Sequence, residues 1–347
     1  MGYRILTHNS DVIGSQLDFV IPVISTGTGA GVSTLQLTTN TNTTISTDGA
    51  GMFYDDAAGT VNPQTSKAFT SGATRTFYFK LTSGSADIRI ANGQSYVTRF
   101  NEWTSSTNAA SIYQMNLSSL PSVMTSFDCS GLNTITGNLS SLPSVMTSFV
   151  CRGLNTITGN LSSLPSVMTS FVCTGANTIT GNLSSLPSVM TSFLCTGSNT
   201  ITGNLSSLPS VMTSFNCTGA NTITGNLSSL PSVMTSFVCT GSNTITGNLS
   251  SLPSVMTYFD CRGLNTIADY TSPKTWATNY NYFFIRQAVG SGLSSTEVDN
   301  LLIDMSAATW GGSSRTLDVR GVNAARTSAS NAAVATLLSK SVNVLTN

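Results

Sequence analysis

The chain is predicted to be a mostly β solenoid of 22-residue coils, closed by a β-sandwich-like N-terminal cap and an α/β C-terminal cap. Three observations point there. Its seven cysteines, Cys129, Cys151, Cys173, Cys195, Cys217, Cys239 and Cys261, follow one another at intervals of 22 residues, and none lies elsewhere. The unit N-L-S-S-L-P-S-V-M-T-S-F-x-C-x-G-x-N-T-I-T-G recurs through seven copies, and a fixed period in this range marks a repeat architecture. Short alternating apolar runs precede the repeats, and helical spacing with capping signals follows them. The 347 residues divide accordingly into a β-rich region 1–105, a solenoid 106–269 and an α/β region 270–347.

Residues 1–105 are read as strands. FVIPVI and VSTLQL are two of them, and in TFYFKL the residues Phe77, Phe79 and Leu81 alternate onto one side. ADIRIA and QSYVTRF flank Asn92-Gly93, a strong two-residue turn signal, and predict a hairpin. Asp48, Asp55 and Asp56 match no calcium-loop motif and are taken as turn residues. The opening MGYRILTHNSDVIGSQLDFVIPVI does not read as a secretory signal. Asp11 and Asp18 interrupt it, and its apolar run from Phe19 to Ile24 is too short and too late. No stretch approaches the roughly 20 apolar residues of a membrane-spanning helix. The expectation is a chain made in the cytoplasm without a signal peptide.

Within the repeat, side chains alternate along a strand. If Phe127 and Cys129 point inward, Ser126, Asp128 and Ser130 point outward. Stacked coils bring identical residues to about 4.8 Å. A small, apolar free Cys suits such an interior, the Asn at position 133 suits the turn that leaves the strand, and Pro121 and Gly131 punctuate the coil. A one-dimensional ladder of thiols does not converge as tetrahedral zinc requires. In-register neighbours would strain a disulfide, and His8 is the lone histidine. The expectation is buried free thiols, with no metal and no cofactor.

The pattern M-x-x-F-x-C with a following Asn and Ile resembles the leucine-rich repeat. Met124, Phe127 and Cys129 stand at Leu positions, and Asn133 comes one residue late, before Ile135. The resemblance implies a curved solenoid with one short parallel strand per coil on its concave face.

Copies differ in few places. After Phe come Asp128, Val150, Val172, Leu194, Asn216, Val238 and Asp260; after Cys come Ser130, Arg152, Thr174, Thr196, Thr218, Thr240 and Arg262. These positions face outward, so together with Tyr258 they are the candidate binding residues of the concave face. Exposed residues drift at little cost. Ser118, Ser119, Ser122 and Thr125 nevertheless stay fixed in every copy, which favours a tuned contact surface at the variable positions. From Gly153 to Phe259 no Asp, Glu, Lys, Arg or His occurs, which argues against phosphate neutralisation and so against nucleic acid and anionic membrane as partners. The stripe Val150, Val172, Leu194 and Val238, bordered by hydroxyls, fits a protein partner. A glycan is less favoured because Tyr258 is the main aromatic platform. Arg152, Asp260 and Arg262 stand as orienting charges toward the ends.

Beyond Ile267 the period breaks. NYFFIRQ is read as a further solenoid strand. Ser294 and Glu297 form a capping box opening a helix with Val298, Leu301, Leu302 and Met305 on one face. TLDVRG is a strand, Ser330 to Lys340 a helix with Val334, Leu337 and Leu338 apolar, and VNVLTN a last extended segment. Charge returns here, for solubility or for docking to a larger assembly.

No catalytic set is visible: one His, no nucleophile motif and no phosphate loop, so the chain is read as non-enzymatic. The Asn-Leu-Ser sequons, such as Asn116 and Asn138, belong to the repeat and do not fix a compartment. Ser/Thr/Asn-rich repeats behind a β-rich N-terminal region resemble bacteriophage fibre or receptor-binding proteins and bacterial surface adhesins. The ending TLDVRGVNAARTSASNAAVATLLSKSVNVLTN resembles the ends of such phage proteins. The resemblance implies a virion protein, exposed after lysis, that recognises a host-surface protein through the concave face and is able to form a homo-oligomer. A spacer or decoration subunit of a virion and a secreted adhesin are the alternatives.

Overall fold

A computed structural model describes residues 18–25, 32–55, 57, 59–69, 72, 74–91, 93–103, 111–276, 279–311 and 315–347, without the side chains of some positions, 131–133 among them. The predicted turn residues Asp56 and Asn92 and the side chain of Asn133, the first ladder asparagine, thus fall outside what is described, whereas Asp48, also predicted in a turn, lies within the strand Thr43–Tyr54.

The N-terminal region is built on two long strands, β3 (Thr43–Tyr54) and β5 (Thr74–Ile90), paired antiparallel with a register shift between Gly49 and Gly51. The first part of β5 pairs with β2 (Ser33–Thr39), and its last part pairs with β1 (Phe19–Ser25). One long strand therefore joins β1, β2 and β3 in a single sheet, and β4 (Ser66–Phe69) pairs with the start of β3. Phe77, Phe79 and Leu81 are buried together with Ile21, Leu35 and Phe53, as their alternation requires.

The predicted Asn92-Gly93 hairpin does not form. Gly93–Tyr96 is a helical turn, α1, and β6 (Val97–Trp103) pairs with β2 rather than with β5. The reason is packing. A Cβ on Gly93 would stand 2.6 Å from Phe19 Cβ, so the glycine serves the close approach of β1.

The cap is joined to the repeats by strand pairing. β6 pairs parallel with the start of β8 (Ser126–Asn138), and β7 (Ser111–Asn116), held antiparallel by β1, pairs parallel with its end. The chain beyond β8 then repeats a coil of two strands, not one. In the first sheet Ser-Phe-x-Cys segments align residues 22 apart, Phe171 with Phe193 and Cys173 with Cys195. In the second sheet Thr-Ile-Thr-Gly-Asn segments align residues 20 apart, Thr180 with Thr200. The resemblance predicted only the first.

Between these sheets run columns of wholly buried side chains. Met146, Phe149, Cys151, Ile157 and Leu161 supply one coil's share, and every cysteine is a buried free thiol. Phenylalanine rings stack from Phe100 in the cap to Phe259, with centroids 5.4 to 5.9 Å apart, and Phe283 continues the row at 5.3 Å. Such offset stacks add to the burial of each ring. Burial pushes the Cys195 thiol up to about 12, so it has no thiolate character at neutral pH.

Polar ladders hold the coils in register. The Oδ1 of buried Asn177, Asn199, Asn221 and Asn243 accepts from the backbone N–H of Ile157, Ile179, Ile201 and Ile223 in the preceding coil, each at 2.9 Å. At the other corner each Leu-Ser-Ser segment is a 3-10 turn whose sequon asparagine caps it. Asn138 Oδ1 accepts from Ser140 N–H at 3.0 Å. Gly159 follows one coil later at φ +124, where a Cβ would lie 2.8 Å from that same oxygen.

The C-terminal region continues the first sheet through Tyr282–Phe284, Arg315–Asp318 and Val342–Leu345, all parallel. Helix α2 (Ser295–Ala307) opens with the Ser294–Glu297 capping box and buries Val298, Leu301, Leu302 and Met305. Helix α3 (Asn331–Ser339) buries Ala333 and Leu337. Leu338 is 58% exposed, contrary to the predicted apolar face. The asparagine ladder also continues. Gln287 Oε1 accepts from Ile267 N–H at 2.6 Å, and Asn323 Oδ1 from Leu293 N–H at 2.9 Å.

Candidate interaction face

The candidate residues form two outward columns on the first sheet. In register run Asp128, Val150, Val172, Leu194, Asn216, Val238 and Asp260. Beside them run Ser130 and Arg152, then Thr174, Thr196, Thr218 and Thr240, then Arg262. Outward does not mean exposed here. Parallel stacking places a neighbour about 4.8 Å away on both sides. Asp128, Val150, Leu194, Asn216 and Val238 are half-buried, and the predicted exposure fails outright at Val172, 7% exposed, and Asp260, 3% exposed. Ser130 and the four threonines are half-buried, while Arg152 and Arg262 are exposed.

Polar members of the columns bind each other along their strands. Ser130 Oγ donates to Asp128 Oδ1 at 2.6 Å, and Thr218 Oγ1 to Asn216 Oδ1 at 3.1 Å. Arg262 grips Asp260 through Nε at 2.8 Å and through a second nitrogen at 2.6 Å. That two-point contact is how a carboxylate is tolerated in so buried a position.

The fixed positions have a structural cause. Thr147 Oγ1 donates to Thr125 O at 3.0 Å, Thr169 to Thr147 at 3.1 Å and Thr191 to Thr169 at 3.2 Å, and later coils repeat the bond. The invariance of the Thr125 column therefore reflects a hydroxyl ladder, and that column no longer argues for a tuned surface at the variable positions. What sequence reasoning missed is a row just upstream of each strand. Val145, Val167, Val189, Val211, Val233 and Val255 are 43 to 45% exposed. The signal was present, since this Val keeps its place beside the buried Met in every P-S-V-M.

The C-terminal end differs in chemistry. Tyr258 and Tyr282 occupy the serine column on adjacent strands, their rings 5.1 Å apart. Burial foremost, and then the nearby Asp260 carboxylate, push the Tyr258 phenol up. Phe284 follows Asp260 in register and lies under Arg262, 4.9 Å from its ring centre. Asp318 follows Phe284 and is held by Arg320 at 3.0 and 2.8 Å. The sequence placed Tyr258, Asp260 and Arg262 here and read NYFFIRQ as a further solenoid strand, but it did not bring Tyr282 and Phe284 into the face. Yet L-D-V-R-G-V-N at 317–323 copies F-D-C-R-G-L-N at 259–265, which identifies the extra coil.

No family model and no curated protein matches the chain. A plant peptide hormone receptor, RGFR1, solved in complex with RGF2, is similar at 17% identity, with a TM-score of 0.41. The match covers 60% of this chain and 34% of that receptor, so this chain spans about a third of the receptor's length.

Proposed function

We propose that the chain is a non-enzymatic recognition protein that binds a protein partner through the outer face of its first sheet and the valine row at its rim. The observation that carries this reading is the set of half-buried aliphatic side chains Val150, Leu194 and Val238 in one uncharged in-register column, flanked by threonines, together with the row of six exposed valines just upstream of the strands. An apolar surface of that kind, repeated over many coils, is what a partner removes from water. The proposed setting is a bacteriophage virion, in a fibre or receptor-binding role, with a spacer role as the second reading. The spacer role draws on the near-identity of successive coils, which sets length without varying the contact surface.

The test uses particles carrying Leu194→Lys with Val238→Lys on the face, or Val189→Lys with Val233→Lys on the rim. Attachment to host cells and particle assembly are measured side by side. Lost attachment by intact particles is the expected outcome. Lost assembly assigns the face to a sister subunit, and no change in either refutes both readings.

A further inference from the structure

We infer that the C-terminal end of the first sheet is a binding site for a carboxylated sugar, formed by Tyr258, Tyr282, Phe284 and Arg286. This goes beyond the protein-binding face proposed above, because it concerns a different end of the sheet and a different ligand chemistry. Three features converge on it.

The first is an aromatic platform that only the fold assembles. Tyr258 and Tyr282 are 24 residues apart in sequence but neighbours in register, and Phe284 packs on Tyr282 with centroids 5.7 Å apart and planes 18° apart. The three rings are half-exposed, the Phe284 ring partly under Arg262, at the end of a face whose coils from Val172 to Thr240 carry Ser, Thr, Asn and aliphatic side chains. Exposed aromatic carbon of this kind can pack against the apolar C–H face of a pyranose ring. Each tyrosine also keeps a polar tip, and its hydroxyl makes no hydrogen bond among the described residues, so it is open to a sugar hydroxyl.

The second feature is an exposed cation with no side-chain contact of its own to a carboxylate among the described residues. The pairing of Phe284 with Asp260 and with Asp318, and of Gln287 with Gly263 and with Gly321, places Arg286 in register between Arg262 and Arg320. Both flanking arginines are engaged with Asp260 and Asp318. Arg286 is exposed and makes no ion pair among the described residues, although, against burial and alongside Arg320, its charge helps to hold the nearby Asp318 carboxyl below the usual range. Its planar fork suits a carboxylate bound at two points.

The third is what the site lacks. Over the preceding coils the face carries no charge from Gly153 to Phe259, so a polyanion has nothing to follow along it. One anionic group on a ligand with apolar faces fits one exposed guanidinium beside three rings.

The test is saturation-transfer NMR on the full chain with four probes: glucuronate, glucose, acetate and a tri-glutamate peptide. Glucuronate should bind in the millimolar range, with its ring protons saturated, and the other three at least about tenfold more weakly. Arg286→Ala should lower glucuronate affinity at least about tenfold and make it equal to that of glucose. Tyr282→Ala should abolish ring saturation, whereas Tyr282→Phe should keep it; an unchanged circular dichroism spectrum certifies that each variant is folded. Equal binding of glucuronate and acetate would overturn the platform, and equal binding of glucose would overturn the role of Arg286. Tighter binding of the peptide, or no binding of glucuronate, would overturn the proposal. None of these outcomes depends on the Leu194 and Val238 variants, so the site and the protein-binding face stand or fall separately.

Discussion

Replacing single ladder asparagines by alanine should cost unequal amounts, and the inequality follows from their hydrogen bonds. Asn199 Oδ1 accepts from Ile179 N–H at 2.9 Å, while its Nδ2 is buried without a partner among the described residues. Asn199→Ala therefore orphans one backbone N–H, a cost of about 1–3 kcal/mol, and also removes an unsatisfied donor, which offsets part of it. Asn265 differs. Its Oδ1 accepts from Ile245 N–H at 2.9 Å, and its Nδ2 donates to Cys261 O at 3.1 Å and reaches Arg262 O at 3.5 Å. Asn265→Ala orphans a donor and an acceptor together, so its cost is about 2–6 kcal/mol. The gap between the variants should be at least about 1 kcal/mol. A stack of coils need not unfold in one step. The assay is accordingly urea denaturation together with hydrogen exchange at the Ile179 and Ile245 amides. Exchange at Ile179 should quicken in Asn199→Ala, and exchange at Ile245 should quicken more in Asn265→Ala. Equal destabilisation, or unchanged exchange at either amide, would refute the reasoning.

Two further outcomes follow from local geometry. In Gly197→Ala the new Cβ would lie 2.5 Å from Gly175 O at φ +135, so the midpoint of thermal unfolding should fall by the equivalent of about 1–3 kcal/mol. Gly72→Ala, at φ +75 with nothing within 4 Å, should cost no more than the backbone strain alone. The second outcome concerns acid. Burial pushes the Asp299 carboxyl up, but Ser330 and Thr327 donate to it at 2.5 Å each, and the hydrogen bonds outweigh burial and hold it below the usual range. A carboxyl depressed on folding contributes stability that is complete above the unfolded value near 3.9 and lost as pH falls through its folded value. Chemical denaturation from pH 6 down to pH 2 should show this acid loss, and Asp299→Asn should be less stable at pH 6 with a flatter profile.

The core was legible because it repeats. Phe, Cys, Met, Ile and Leu at fixed offsets must share one interior, and alternation at Phe77, Phe79 and Leu81 was enough to place the cap strand. The second strand was not, because Thr-Ile-Thr-Gly-Asn carries glycine and a capping asparagine that look like a turn. Only the neighbouring coil turns it into sheet. Exposure of Val172 and Asp260 was misjudged because alternation reports direction, whereas close parallel neighbours decide cover. The aromatic end escaped notice because Tyr258 and Tyr282 are brought together by register across a coil of irregular length.

Reaction of the seven cysteines with a thiol reagent, before and after unfolding in urea, probes the inward stacking of Phe and Cys most directly. Wholly buried side chains, with the Cys195 thiol pushed up to about 12, predict no labelling of the native chain at pH 8 and seven equivalents once it is unfolded. Rapid labelling of the native chain would place the cysteines on the surface and remove the two-sheet coil from which every outward column has been assigned.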